Sequence, residues 1–193
     1  MNATETLADL TPKRPKRADA LRNYEKLIAA AREAFSAGGT TSLEEIARRA
    51  GVGIGTLYRH FPARQDLLEA VYLEEVEGLC RTADDLAGLE PWDALVAWLH
   101  RFVGYLATKQ ALAEQLLEYL DRDAAFFRGC RAAFQTAGEP LFEHAQAAGV
   151  VRSDATFGDT IQMVSAVAKI PGIAPEQVDR ILDMALDGLR YRA

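Results

Sequence analysis

Apolar residues recur at intervals of three and four along almost the whole chain, the pattern of helices that bury one face. No stretch alternates apolar and polar residues as a half-buried strand would. Pro140 is expected to kink or split the helix that contains it. The pattern predicts helices over about 19–37, 63–86, 91–109, 112–120, 123–147, 154–169 and 175–190, with two short ones between Thr41 and Phe61. We therefore predict an all-α protein of about nine helices.

The stretch from Thr41 to Phe61 predicts two short helices joined by a Gly-Val-Gly turn, because glycine enters left-handed conformations without a Cβ penalty. Thr41 or Ser42 can cap the first helix. In the second, Leu57 and Phe61 are spaced for burial, which leaves hydroxyl, aromatic and cationic side chains on the open face. This arrangement is typical of a helix-turn-helix, whose second helix enters the major groove of DNA.

The chain divides by charge at the end of this stretch. Residues 1–65 hold 11 Lys/Arg against 7 Asp/Glu, whereas residues 66–193 hold 11 against 21. The basic excess therefore coincides with the helix-turn-helix, and the acidic remainder discourages phosphate contacts elsewhere. We predict a basic flexible arm over 1–18, a helix-turn-helix DNA-binding domain over 19–62 and a second helical domain over 63–193.

The N-terminal sequence, the lengths of the apolar runs and the cysteines indicate where in the cell the protein resides. The N-terminus lacks the apolar core of a signal peptide, and no apolar run is long enough to cross a bilayer. Cys80 and Cys130 are far apart in sequence and each sits in a helical pattern, which favours two reduced thiols over a disulfide. These features predict a cytoplasmic protein without a membrane partner.

The stretch Ala50–Leu68, AGVGIGTLYRHFPARQDLL, closely resembles the tetracycline-repressor (TetR) family of bacterial regulators. The resemblance includes the alanine-glycine-valine at the end of the first helix, the GTLYxHF of the second, and a basic residue three positions later. Two positions depart from the family pattern. Gly53 replaces the usual Ser or Thr and donates no hydroxyl to phosphate, and Ile54 replaces a basic or polar residue. An apolar side chain there can touch a thymine methyl but cannot hydrogen-bond guanine.

The resemblance implies roles for individual residues in binding operator DNA. Ile54, Gly55 and Arg59 would face base edges, and the remaining candidates would hold phosphates or open the recognition helix. Two alternatives remain open: Tyr58 as a core tyrosine and His60 as a packed, hydrogen-bonded histidine. The candidate DNA-binding residues are Lys16, Arg17, Thr41, Ser42, Gly53, Ile54, Gly55, Thr56, Tyr58, Arg59, His60 and Arg64.

The family further implies a homodimer paired through its last two long helices, and a largely apolar small-molecule effector held among the helices between residues 91 and 168. In both cases the same apolar stripes could instead be plain core. The candidate interface residues are Ile161, Val164, Val178, Ile181, Leu182, Ala185 and Leu189. The candidate pocket residues are Trp92, Trp98, Phe102, Tyr105, Phe126, Phe127, Phe134 and Met163.

These features favour a ligand-responsive repressor that dissociates from its operator when a small molecule binds. An activator or a corepressor-dependent regulator of the same fold is an alternative, because the sequence does not encode the sign of regulation. A helical interaction module that does not bind DNA is a second alternative. We expect no enzyme, cofactor or metal, since no nucleophile elbow, phosphate loop, dinucleotide fingerprint or paired metal-ligand motif occurs in the sequence.

Overall fold

The computed structural model describes Leu7, Leu10 and residues 14–36, 41–121 and 124–190, except for the side chains of 107 and 108. Eight helices have their bounds within these residues. They are α1 (Ala18–Ser36), α2 (Leu43–Arg49), α3 (Ile54–His60), α4 (Arg64–Leu86), α5 (Pro91–Leu116), α6 (Ala125–Ala147), α7 (Phe157–Ala168) and α8 (Pro175–Leu189). A single antiparallel bridge, Val151 to Arg190, joins the segment before α7 to the end of α8 within the described residues. The predicted all-helical class is confirmed.

Two predicted helix boundaries are wrong. The break expected after Lys109 does not occur, and α5 continues through it to Leu116. Of the kink or split expected at Pro140, the split does not occur, because α6 runs unbroken from Ala125 to Ala147. Buried apolar side chains lie on both sides of this proline, and tertiary packing of that face holds the helix together despite its lost hydrogen bond.

Helices α1, α2 and α3 form a small bundle around one apolar centre. Leu27 and Phe35 of α1, Ile46 of α2, Leu57 of α3 and the following Phe61 are all fully buried. The short helices α2 and α3 are seven residues each, too short to be stable alone in water, so this shared centre holds them in place.

The larger bundle is built on α4 and α5, which pack along each other. Helix α5 also packs against α6 and α7 and contacts α1 and α8, as its nearly all-round apolar pattern predicts. Helix α8 packs mainly against α7. Because α4 begins beside the small bundle and ends within the large one, it connects the two mechanically.

The described part of the N-terminal segment is docked on the large bundle. Leu7 is almost fully buried, and Leu10 lies against Gly129 of α6. The guanidinium of Arg14 is 2.6 Å from a carboxylate oxygen of Glu74 and 2.5 Å from one of Glu77, both on α4. The expectation of a free arm is therefore wrong for these residues. For the rest of 1–13 it lies outside the described residues.

Candidate DNA-binding surface and the domain behind it

Ser42 is the residue that caps α2. Its hydroxyl accepts a hydrogen bond from the backbone N–H of Glu45 at 3.2 Å, as an N-cap residue does. The carboxylate of Glu45 accepts hydrogen bonds from Arg48 at 2.7 Å and Arg49 at 2.8 Å, and these bonds lower its pKa to about 2. Both arginines are thus tied to their own helix, as solvated surface charges.

The turn after α2 has the geometry of a Schellman motif. Gly51 adopts a φ of 64°, in the left-handed region. Its N–H bonds the carbonyl of Arg48 at 3.1 Å, and the N–H of Val52 bonds the carbonyl of Ala47 at 3.0 Å. This turn sets the angle at which the chain enters α3.

Helix α3 turns one residue inward and most of the others outward. Leu57 is fully buried, whereas Ile54 is 39% exposed and Tyr58 is 44% exposed. Gly53, Gly55 and Arg59 are exposed as well, and Thr56 is half-buried. Tyr58 is therefore a surface residue, and the alternative of a core tyrosine is excluded. The open face carries an isoleucine, a phenol and a guanidinium next to two glycines that let a partner approach the backbone.

His60 lies at the edge of this surface and packs inward. Its ring centroid is 6.1 Å from that of Tyr24 and 6.2 Å from that of Phe61. Burial, with a smaller effect of the nearby Arg59 charge, lowers the pKa of His60 below its usual value. The imidazole is thus neutral at physiological pH and partly a packing residue. Its predicted phosphate contact stays a prediction.

Arg64 points into the protein. One Nη atom donates to the carbonyl of Thr41 at 2.5 Å, and the other donates to Oε1 of Gln115 at 2.9 Å. The guanidinium also lies 5.0 Å from the ring centroid of Phe35. The expected phosphate contact is therefore corrected: Arg64 joins the small bundle to the end of α5. By contrast, Lys16 and Arg17 are exposed just before α1.

Two family models match the chain. The model described as "Bacterial regulatory proteins, tetR family" matches residues 27–71. The model described as "Transcriptional regulator SbtR-like, C-terminal domain" matches residues 90–191, which is more than half of the 193 residues. The chain belongs to the TetR family of bacterial transcriptional regulators. It is accordingly a helix-turn-helix DNA-binding transcriptional regulator of a non-enzymatic family, and its predicted resemblance is confirmed.

Solved TetR structures match nearly the whole chain. The regulator SCO0520 from Streptomyces coelicolor is 40% identical with a TM-score of 0.76, over 88% of this chain and 99% of that one. The TetR regulatory protein from Mycobacterium vanbaalenii is 34% identical with a TM-score of 0.75, over 92% of this chain and 100% of that one. Both similarities extend through the domain behind the helix-turn-helix.

Curated relatives match the DNA-binding end. The HTH-type transcriptional regulator UidR of Escherichia coli (strain K12) is 32% identical over 74 residues, which are 37% of this chain and 38% of UidR. The HTH-type transcriptional regulator SAR0097 of Staphylococcus aureus (strain MRSA252) is 32% identical over 76 residues, 38% of this chain and 40% of that protein. The chain thus matches about two fifths of the length of these relatives.

In this TetR regulator, four of the eight candidate pocket residues are neighbours in the large bundle. Trp98 and Phe102 stack with centroids 5.7 Å apart, and Phe102 lies 5.9 Å from Tyr105 and 5.5 Å from Phe134. All four are buried. They form one continuous aromatic interior between α5 and α6.

The other candidate pocket residues are distributed differently. Phe126 and Phe127 pack on Tyr72 of α4, at 5.4 and 5.7 Å between ring centroids. Trp92 lies under the guanidinium of Arg190, 5.1 Å from its ring centroid. Met163 lines an open depression of about 420 Å³ between α7 and α8. Neither Trp92 nor Met163 is therefore part of the aromatic interior.

Sequence reasoning missed Lys109, which reaches into this interior. Its Nζ lies 5.3 Å from the ring centroid of Tyr105, 5.7 Å from that of Phe134 and 5.8 Å from that of Tyr72. A lysine flanked by polar residues is expected to be solvated, and the sequence predicts Lys109 to be the last residue of a helix. Neither expectation suggests that its side chain packs among aromatic rings. The four residues Lys109, Tyr72, Tyr105 and Phe134 are called the Lys109 cluster below.

The candidate dimer residues divide into an outer and an inner set. Ile161, Val178, Ile181 and Ala185 are half-buried in the single chain. Val164, Leu182 and Leu189 are buried by the chain's own core, so they do not present side chains to a second copy, which corrects their assignment. Sequence reasoning also missed Met184, which is 75% exposed on α8.

Two further features are absent from the described residues. None of the helices there is long and apolar enough to cross a membrane. No group of three or more His, Cys, Asp or Glu side chains in the same part of the chain could hold a metal ion.

Proposed function

We propose that this regulator is a homodimeric repressor that binds operator DNA through α3 and leaves it when a small molecule binds the large bundle. The observation that carries the DNA-contacting role is the exposure of Ile54, Tyr58 and Arg59 on a helix anchored by the fully buried Leu57. An apolar side chain, a phenol and a guanidinium are thus exposed together on one short helix. They suit a groove lined with bases and phosphates.

Individual roles follow from side-chain chemistry. Arg59 can donate two hydrogen bonds to O6 and N7 of a guanine, and Ile54 can contact a thymine methyl group. Tyr58 and Thr56 have hydroxyls that can donate to phosphate oxygens and fix the register of the helix. Lys16 and Arg17 are exposed before α1 and can add phosphate contacts.

The link between ligand and DNA in this proposal is the contact of Arg64 with both bundles. Arg64 is the first residue of α4 and binds Thr41 at the start of the helix-turn-helix and Gln115 at the end of α5. A ligand that favours a different position of the end of α5 changes the support of α2 and α3. In a dimer, this alters the separation of the two recognition helices, which must match one turn of DNA.

The test is DNA selection with the purified full-length protein, followed by affinity measurements on the selected fragment and on single-base variants of it. Tyr58→Ala is expected to weaken binding to all sequences alike. Arg59→Ala is expected to cost about 1–3 kcal/mol at one guanine and to relax the choice of base there. Arg101→Ala, an exposed arginine on α5, removes the same charge away from α3 and controls for net electrostatics.

Unaltered binding by both α3 variants would overturn the assignment of α3 as the recognition helix. Absence of any selected DNA would favour the helical interaction module. Transcription from the selected promoter, with and without the protein, gives the sign of regulation. Increased transcription would replace the repressor by the activator, and binding that requires an added small molecule would indicate a corepressor.

A further inference from the structure

The Lys109 cluster holds an ammonium group in an aromatic interior formed by three helices. Tyr72 comes from α4, Tyr105 and Lys109 from α5, and Phe134 from α6. The three ring centroids lie between 5.3 and 5.8 Å from Nζ. The electron-rich ring faces attract the cation, but they carry no net charge. An ammonium that is partly withdrawn from water, as that of the half-buried Lys109 is, is compensated best by an anion.

Within the described residues, no carboxylate forms an ion pair with Lys109. Among the ionisable side chains that act on it, Cys130 would favour its charge as a thiolate, but burial raises the pKa of that thiol to about 12, whereas Arg131 of α6 and Lys169 after α7 are cations that disfavour its charge. Burial is the largest cause, and it lowers the pKa of Lys109 to about 8. This positive region lies within residues 66–193, which hold 21 Asp/Glu against 11 Lys/Arg, so its charge is opposite to the net charge of that part of the chain.

A second polar group in the same cluster, the hydroxyl of Tyr105, lacks a well-aligned hydrogen-bond partner within the described residues. The hydroxyl of Tyr105 is buried and makes no well-formed hydrogen bond within the described residues, although Tyr72 is near enough to affect its pKa. Buried hydroxyls in proteins are almost always hydrogen-bonded. The cluster therefore contains a cation without a paired carboxylate beside a buried hydroxyl that has only a poorly aligned contact with the hydroxyl of Tyr72 among the described residues.

We propose that the Lys109 cluster binds a small organic carboxylate with a flat apolar body. The carboxylate accepts hydrogen bonds from Nζ of Lys109 and from the hydroxyl of Tyr105. The apolar body lies against the rings of Tyr72 and Phe134. This inference rests on the proposed function, because such a molecule is the effector that the repressor requires. It replaces the largely apolar effector expected from sequence with an anionic one.

Access and chemistry both favour a small organic anion over a bare inorganic one. Lys109 is partly exposed whereas the three aromatic residues are buried, so solvent reaches the cluster along the lysine. Inorganic phosphate would gain the charge interaction but leave the aromatic faces without a partner. An aromatic carboxylate uses both, as ligand sites with apolar walls and few polar groups do.

The test is calorimetric titration of the full-length protein with 1-naphthoate and with 1-naphthamide, which has the same shape without the charge. Naphthoate is expected to bind about tenfold tighter or more, the usual strength of a charge-assisted hydrogen bond. Lys109→Met should abolish that preference, and Lys109→Arg should retain most of it. Tyr105→Phe should weaken naphthoate more than naphthamide. Lys26→Met, an exposed lysine on α1, should behave as wild type.

The pH dependence of naphthoate binding distinguishes recognition of the carboxylate by the Lys109 charge from a purely structural role of Lys109. The groups facing Lys109 are Tyr72, Tyr105 and Cys130, whose pKa values are all raised by burial, together with the cations Arg131 and Lys169. Naphthoate affinity should therefore fall as the pH rises through about 8, and this fall should be absent in Lys109→Met.

Equal affinity for naphthoate and naphthamide, or a preference that survives Lys109→Met, would overturn the inference. So would the absence of naphthoate binding at millimolar concentrations. Operator binding is measured on the same preparations. Intact operator binding without Lys109-dependent naphthoate binding overturns this inference alone, whereas lost operator binding with intact naphthoate binding overturns the proposed function. Thermal unfolding of each variant identifies any that fail to fold, and if Lys109→Met does, the unequal effect of Tyr105→Phe on naphthoate and naphthamide then decides the inference.

Discussion

Gly138 of α6 leaves the room that the indole of Trp98 occupies. A Cβ at position 138 would lie 2.6 Å from Cζ2 and 2.7 Å from Cζ3 of that ring, and closer still to Cη2. Carbon atoms pack at about 3.5 Å or more, so the ring must move by roughly 1 Å. The ring is held on other sides, because it stacks on Phe102 and its Nε1 donates to the carbonyl of Leu79 at 3.3 Å. We therefore expect Gly138→Ala to strain the aromatic interior.

The expected free-energy change combines two opposing effects. Replacing glycine by alanine within a helix stabilises it by about 1 kcal/mol. Overpacking a core costs about 1–3 kcal/mol, and the rigid, fully buried indole favours the upper part of that range. The net destabilisation is about 1–2 kcal/mol. For a chain of this length, each kcal/mol shifts Tm by about 2–4 °C, so Gly138→Ala should lower Tm by about 2–8 °C.

Gly104 of α5 provides the matched control. A Cβ there meets no atom within 4 Å, so Gly104→Ala should show the helix preference alone and raise Tm by about 2–4 °C. Thermal unfolding followed by circular dichroism measures both variants. The near-ultraviolet spectrum should change for Gly138→Ala only, because Trp98 is displaced. A Tm for Gly138→Ala equal to or above that of Gly104→Ala would refute the close contact between Gly138 and Trp98.

Three further predictions concern the dimer, the link between the bundles and the Lys109 charge. Met184→Glu, at a 75% exposed site on α8, should weaken self-association in sedimentation equilibrium, whereas Leu89→Glu, 49% exposed before α5, should not; equal behaviour would contradict an interface at α8. Arg64→Ala should leave the slope of log affinity for operator against log salt unchanged, because its Nη atoms are used internally; a slope reduced by about 0.9 would restore the phosphate contact. The difference in unfolding free energy between the wild type and Lys109→Met should rise with pH from about 8 to the ordinary lysine range, because the unfolded wild-type chain then retains a proton that folded Lys109 has lost; buried thiols such as Cys130, whose pKa is raised, titrate in both proteins and cancel, and a flat difference would contradict the lowered pKa.

The helix-turn-helix was predictable because its determinants are local. The cap at Ser42, the left-handed glycine at 51 and the burial of Leu57 each follow from residues within one or two helical turns. The exposure of Tyr58 then follows from its position next to Leu57, since adjacent residues on a helix face different directions. Short-range periodicity is sufficient for such a unit.

The remaining features depend on partners distant in sequence. Arg64 bonds Gln115, 51 residues away, and Arg14 bonds Glu74, 60 residues away. Each arginine, read alone, looks like a phosphate ligand or a solvated charge. Lys109 also led to a wrong helix boundary, because a charged residue at the end of an apolar stretch predicted that the helix stops there. In the structure the aromatic rings around it accommodate the cation, and α5 continues.

The end of α5 carries both parts of the proposed switch. Lys109 of the candidate effector site and Gln115, which binds Arg64, are six residues apart, or about 9 Å along the helix axis. A carboxylate bound to Lys109 acts on the same two turns of helix that hold the guanidinium of Arg64. That guanidinium also supports Thr41, one residue before the cap of the helix-turn-helix. The distance over which binding must be transmitted is therefore short, and a small displacement of one helix end can reach α2 and α3 through a single hydrogen-bonded arginine.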